Sequence, residues 1–493
     1  MHVVVIGAGF GGLASALRMR AKGYSVTLID RCDRPGGRAQ VFEKDGFRHD
    51  AGPTVITAPF LIEELFELFS EKMSDHLQLI ALKPWYRFVF SDGEHFDYGG
   101  NPEDTVSEIR RISPDDVDGY KRLLAHSKRL FDIGFTKLSA RPFDSFLLML
   151  KQVPTLLRLK AYRTVWQFVS SHLKHDKLRR AFSIQPLLVG GNPFDTTSIY
   201  SLIHFLEYSF GVFFAKGGTG AIVDALVGLM ERHGVRLMMG QTVSSLHIEN
   251  GTAVGVHLED GRYIKADIIV SNADAPYLFT SMLPDLKLPL MTRAKLAQAH
   301  YSMGLFVLYF GTKRTYDDVA HHTIIMGDSY QELLTDIFHR KVLNDDVSLY
   351  LHRPTATDTS FAPPGCDSFY VLCPVPNLKA DIDWQLEGEK LQNQIIATLG
   401  RTVLPGLEET IMSNFFMTPA DFKDDYRSMF GAGFSIAPLF RQSAWFRFHN
   451  RAEGVKNLYL VGAGTHPGAG LPGVLSSAKV VDSLVERVAN TGG

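Results

Sequence analysis

The chain has 493 residues, 45% of them hydrophobic and 21% charged, enough for two domains and a large core. Its 51 Lys and Arg nearly balance 53 Asp and Glu, so no global field favours nucleic acid as a partner. Three cysteines give no paired framework, and a reducing, cytoplasmic compartment is expected.

Residues 2–6 (His-Val-Val-Val-Ile) predict a buried strand running straight into Gly7-Ala8-Gly9-Phe10-Gly11-Gly12. A helical pattern follows as far as Gly23, and Ser25–Asp30 predicts a second strand that ends on an acid. This is a βαβ opening around a G-x-G-x-x-G turn. Gly7 permits the tight turn, Gly9 lets main chain approach a pyrophosphate, and Gly12 lets helix pack on strand. The helix N-terminus offers free N–H groups and a positive dipole end to phosphates. Asp30 is placed to accept hydrogen bonds from a ribose. Gly468–Gly473 has the same glycine spacing but no strand running directly into it, so the fingerprint is complete only at the N-terminus.

In Arg31-Cys32-Asp33-Arg34-Pro35-Gly36-Gly37-Arg38-Ala39, the glycines allow close main-chain approach and Arg38 supplies a cation for a phosphate. Here the chain resembles flavoproteins with two dinucleotide-binding domains, in which a Gly-Gly-Arg turn lies on the FAD pyrophosphate. His49-Asp50-Ala51-Gly52-Pro53-Thr54-Val55-Ile56 narrows the resemblance to the bacterial-type phytoene desaturases of carotenoid synthesis.

Apolar residues at Leu61, Leu65, Leu68 and Phe69 predict a helix within 59–72, and 80–98 predicts a hairpin with an Asp92-Gly93 turn. Residues 103–215 are mostly helical by pattern. Within them, Lys151–Arg180 carries eight Lys or Arg against the single acid Asp176. Tyr162, Val165, Trp166, Val169 and Leu173 recur there at helical spacing, which suggests either an interfacial membrane contact or a core stripe with a solvated basic face. Gly217-Gly218-Thr219-Gly220 opens another apolar helix. Asn250-Gly251 and Asp260-Gly261 mark a β-meander with runs at Val243–Ile248, Thr252–Leu258 and Tyr263–Ser271. Runs at Leu305–Phe310, Ser348–Leu351 and Ser368–Cys373 predict strands of one further sheet.

Leu458–Val461 predicts a parallel strand feeding a glycine-rich loop and a terminal helix. Glycines such as Gly464 let main chain lie against a planar ring, and the helix start at Pro472-Gly473-Val474 can stabilise negative charge on a reduced flavin. The uncharged run 457–478 also holds five glycines and two prolines, which reads as a cofactor loop and not a membrane span. No Ser-His-Asp or Cys-His constellation and no metal-ligand spacing is evident. His321-His322 reads as a solvated pair. Asp50 and His466 are possible proton acceptors, each more simply structural, so no catalytic base is assigned.

The resemblance runs over essentially the whole chain, including Leu187–Phe194, Phe214–Gly220 and Gln442–Arg447. It implies an α/β fold: a Rossmann-like FAD domain with an inserted meander (1–75, 225–285 and 441–493). A discontinuous α+β substrate domain (76–224 and 286–440) would have a membrane-facing helical part. It implies non-covalent FAD, held by the motifs above, with the Val243 backbone on the adenine side. It further implies successive dehydrogenation of an apolar C40 precursor, phytoene, toward neurosporene or lycopene. The membrane surface is the expected partner, and oxygen or a quinone the expected electron acceptor. Asp30 departs from the family, which often has glutamate there. The same cofactor domain would also serve an amine oxidase, a carotenoid isomerase or a non-catalytic prenyl-lipid escort.

Overall fold

The computed structural model describes residues 1–143 and 146–488. Two sheets organise it. The first is five-stranded and parallel, in the order Leu458–Leu460, Ile268–Ser271, His2–Ile6, Ser25–Ile29, Arg236–Met238. Its three central strands are short, rich in β-branched residues and mostly buried on both faces, as parallel strands covered on both sides must be. Val3, Val4 and Val5 are fully buried, between helices Phe10–Ala21, Gly218–Arg232 and Leu471–Leu484 on one face and the meander on the other.

The second sheet is seven-stranded and mixed. Its order is Ile411–Met417, Gly304–Thr312, Asp367–Val375, Leu349–His352, His322–Met326, Tyr86–Phe90, His95–Tyr98. All neighbours are antiparallel except His322–Met326 with Tyr86–Phe90. The three runs read from sequence within 304–375 all lie in this sheet. Helices between residues 102 and 210 pack against one side of it, and helix Trp384–Thr402 against the other.

One expectation is corrected. The run Tyr263–Ser271 is two strands: Tyr263–Lys265 closes the three-stranded meander, and Ile268–Ser271 enters the parallel sheet. The change occurs at Asp267, whose carboxylate accepts the His2 N–H at 2.6 Å and ties this point to the edge of the first strand.

In the Lys151–Arg180 stretch the apolar stripe is a core stripe, the second of the two readings, and it is divided among several helices. Helix Phe146–Arg158 stops at Lys160, which has φ of 55°, and short helices Val165–Ser170 and Asp176–Phe182 follow. Val165, Val169 and Leu173 are core residues, and of the proposed stripe only Tyr162 is exposed. Lys177 pairs with Asp92 and Glu94, and Arg180 with Asp176. Besides Tyr162, the exposed apolar residues lie on helix Phe146–Arg158, most of it ahead of this stretch: Phe146, Leu147, Leu150 and Leu157. Among the described residues no helix is long and apolar enough to cross a membrane.

Candidate functional site

The C-terminal ends of the parallel strands open on a cavity of about 600 Å³. Ligand crevices of open parallel sheets form at this edge, because loops leave it on both faces and helix N-termini point into it. One end of the cavity is mostly main chain. Gly7, Gly9, Phe10, Asp30, Arg31, Gly36, Gly37, Arg38, Gly52, Pro53 and Val243 line it, and so do Gly464, Pro472, Gly473 and Val474. Ala8, Gly11 and Gly12 do not. Gly12 is needed for packing, since a Cβ there would overlap the Gly7 carbonyl oxygen.

Helices Phe10–Ala21 and Leu471–Leu484 both start at this end, from Gly9 and Gly470, and neither has a side-chain cap. Their first N–H groups are therefore open to an acceptor in the cavity. Asp30 is fixed by two main-chain donors, Ala8 N–H at 2.5 Å and Cys32 N–H at 2.8 Å, which leaves carboxylate lone pairs for a further donor. Arg38 is half-buried and donates to Ser428 Oγ at 3.0 Å. Burial holds its guanidinium below the ordinary range, with Asp274 acting in the opposite sense.

Asn272 was not singled out from sequence and is the hub of this end. Its N–H donates to the Ile6 carbonyl, which seats it between the two glycine turns. A Cβ on Gly7, Gly9, Gly11 or Gly462 would meet its side chain. Its position immediately after a parallel strand was the available signal, but assigning that run to the meander hid it. Arg447, fully buried, donates to the carbonyls of Thr465 at 2.9 Å and Ala463 at 2.5 Å, and so holds the loop before the last helix.

The body of the cavity is hydrocarbon, with Leu138, Met149, Leu206, Met303, Leu305 and Phe434 among its walls. Helix Phe146–Arg158 contributes Met149, Gln152 and Leu156 to this lining while it exposes Leu147, Leu150 and Leu157 outward. Two titratable groups border the hydrocarbon. Glu207 is buried, and desolvation raises its carboxyl to about 7 despite hydrogen bonds from Tyr86 and Tyr98. His466 is pushed down to about 4 by burial. With Nε2 on the Leu138 carbonyl at 3.1 Å, its Nδ1 is left without a partner. Asp50, the other acceptor noted from sequence, does not line the cavity; it accepts the Thr219 N–H at 2.9 Å. His321 and His322 are not solvated: both are buried, beside His352.

The model of the flavin-containing amine oxidoreductases matches residues 10–481. A lycopene-forming phytoene desaturase of Pseudescherichia vulneris is 47% identical over 483 residues, covering 98% of each chain. A neurosporene-forming phytoene desaturase of Rhodobacter capsulatus is 42% identical, covering 98% of this chain and 94% of that one. The chain belongs to the bacterial phytoene desaturase group of the flavin-containing amine oxidoreductases.

As a member of that flavoprotein family it is an oxidoreductase, and its cofactor is FAD. The glycine-lined end fits a dinucleotide: uncapped helix starts, a half-buried arginine and a tethered carboxylate occur together where side chains are small. The fold is shared more widely. An oxidoreductase of Methanosarcina mazei superposes with a TM-score of 0.67 at 17% identity, over 98% of this chain and all of that one.

Proposed function

We propose that this chain dehydrogenates phytoene, a C40 polyene, in successive steps toward neurosporene or lycopene, with FAD as the oxidant. One observation carries the reading: a single cavity joins a glycine-lined nucleotide end to a hydrocarbon body, in a chain 42% and 47% identical to two phytoene desaturases. Bound FAD supplies a two-electron acceptor for a hydride.

The chain's own groups do the rest. Gly7, Gly9, Gly36-Gly37 and Arg38, with the first helix N-terminus, would take the pyrophosphate; Asp30 would take a ribose and the Val243 main chain the adenine side. Gly464 and Pro472-Gly473-Val474 face the ring system, where the second uncapped helix start favours negative charge. The FAD is non-covalent. Segments 1–75, 225–285 and 441–493 form its domain, and the remainder forms the substrate domain. Leu206, Met303 and Leu305 keep the reacting carbons dry and aligned, so the proton leaves a carbon held against the acceptor and away from bulk water. No side chain is assigned as base. Electrons pass on to oxygen or a quinone.

The substrate has negligible solubility in water, so it enters from a bilayer. Helix Phe146–Arg158 is the proposed contact, because it lines the cavity on one side and exposes leucines on the other. Lys151, Arg158 and Lys160 beside it are exposed and suit anionic headgroups. Purified enzyme with FAD, given phytoene in liposomes, should yield products with more conjugated double bonds by chromatography. Isomers of unchanged mass, or no product with full FAD occupancy, would overturn the reading.

A further inference from the structure

Behind the cavity wall lies a cluster that the proposed dehydrogenation does not use. His322 and His352 are directly opposite each other on antiparallel strands of the seven-stranded sheet, and such cross-strand pairs project side chains to the same face. His321, just before the strand, completes a group of three buried imidazoles whose candidate ligand atoms lie within 4.8 Å of one another. Their ring centroids are 4.6, 4.8 and 5.3 Å apart. Asp50 arrives from another segment, and its Oδ2 lies 3.6 Å from His352 Nε2; both side chains are fully buried.

The hydrogen bonding sorts these atoms into two sets. His321 Nδ1 is bonded to Thr357 Oγ1 at 2.7 Å, and His322 Nδ1 to the Tyr350 hydroxyl at 2.8 Å. That hydroxyl is in turn 2.6 Å from Thr54 Oγ1. The other nitrogens, His321 Nε2 and His322 Nε2, have no partner, nor have both nitrogens of His352 or Asp50 Oδ2. Buried polar atoms left bare cost roughly 1–3 kcal/mol each, so several together need an explanation. Ligating histidines have this arrangement: one ring nitrogen oriented by an outer acceptor and the other left free for an ion.

We propose that His321, His322 and His352, with Asp50 as fourth donor, form a binding site for one divalent cation of the zinc class. Three imidazoles and one carboxylate are a tetrahedral donor set for zinc. Imidazoles sharing an ion at about 2.1 Å hold their ring centroids roughly 5 Å apart, close to the separations here. The candidate ligand atoms at their widest, 4.8 Å, must draw in by about 1.4 Å, which side-chain rotations supply. Phe214 and Tyr370 pack on the cluster and keep it dry. An ion there would tie strand Phe47–Asp50, which leads into cavity residues 51–54, to the sheet carrying His322 and His352.

The test is elemental analysis of purified, FAD-loaded protein dialysed against micromolar zinc, together with thermal melts before and after a chelator. Wild type should hold about one zinc per chain, with a melting temperature that falls on chelation and recovers on adding zinc alone. His352→Gln should hold none, and Tyr350→Phe should bind about 10-fold more weakly, because it loses only the orienting partner. His247→Gln, altering a histidine on the outer meander, should bind as wild type does. Folded wild-type protein that retains no zinc overturns the proposal whatever the variants do. A His352→Gln protein that retains a full equivalent overturns it as well.

Discussion

The two ends of the cavity are made of different material. The end proposed for the nucleotide is built from main chain, with glycines, helix starts and one tethered carboxylate, and at Gly12, Gly52 and Gly473 it leaves no room for a Cβ. The hydrocarbon body is built from large side chains contributed by helices and by the seven-stranded sheet. A substitution at the first end should therefore act by steric exclusion of fold and cofactor together. One in the body should act through packing, which is graded and separable from cofactor binding.

The sharpest break is at Gly12, where any Cβ would overlap the Gly7 carbonyl oxygen. Gly12→Val should cost about 3 kcal/mol or more and give protein without bound flavin, read from the absorbance of the purified protein. In the body, Leu206 is buried and lines the cavity. Leu206→Ala should lower stability by about 2–5 kcal/mol in denaturant melts and yet keep stoichiometric FAD. Equal loss of flavin in the two variants would erase the distinction between the ends.

At the outer surface the effect is smaller. Changing Arg158, Lys160 and Arg163 to glutamate should weaken co-sedimentation with anionic vesicles by about 1 kcal/mol per residue, with wild-type binding weakening as salt rises. Equal pelleting of variant and wild type would show the basic residues to be merely solvated.

The last prediction concerns pH. Burial raises the folded pKa of Glu207 to about 7, above its ordinary value of 4.5. The folded state therefore binds more protons than the unfolded state between these values, and stability falls as pH rises from about 4.5 to about 7. Glu207→Gln removes that proton and should be more stable than wild type near pH 8, by on the order of 1–3 kcal/mol, with no advantage at pH 4.5. Parallel thermal melts of the two proteins across this range are the check.

What could be read from the chain follows the same division. The turn at Gly7–Gly12, the strands beside it, Asp30 and the loop around Gly464 were legible, because they depend on backbone chemistry within a few residues of each position. The meander's hairpins were legible for the same reason, from Asn250-Gly251 and Asp260-Gly261. The division of Tyr263–Ser271 was not, because only pairing with His2–Ile6, far away in sequence, distinguishes its two halves.

The stripe at Val165, Val169 and Leu173 shows the limit most plainly. Helical spacing states that one face is apolar, but whether that face meets a core or a lipid is set by what packs on it. Here it meets a core, and outward apolar surface falls to Phe146, Leu147, Leu150 and Leu157. The meeting of His321, His322, His352 and Asp50 had no local signature either, since adjacency at 321–322 says nothing of a residue thirty positions on or of a strand near the N-terminus. Short-range conformational preference is written in neighbouring residues, so the sequence alone determined the nucleotide turn and its strands. Which side chains converge, and which are dry, depends on strand register and layer packing, and only the tertiary structure decided it.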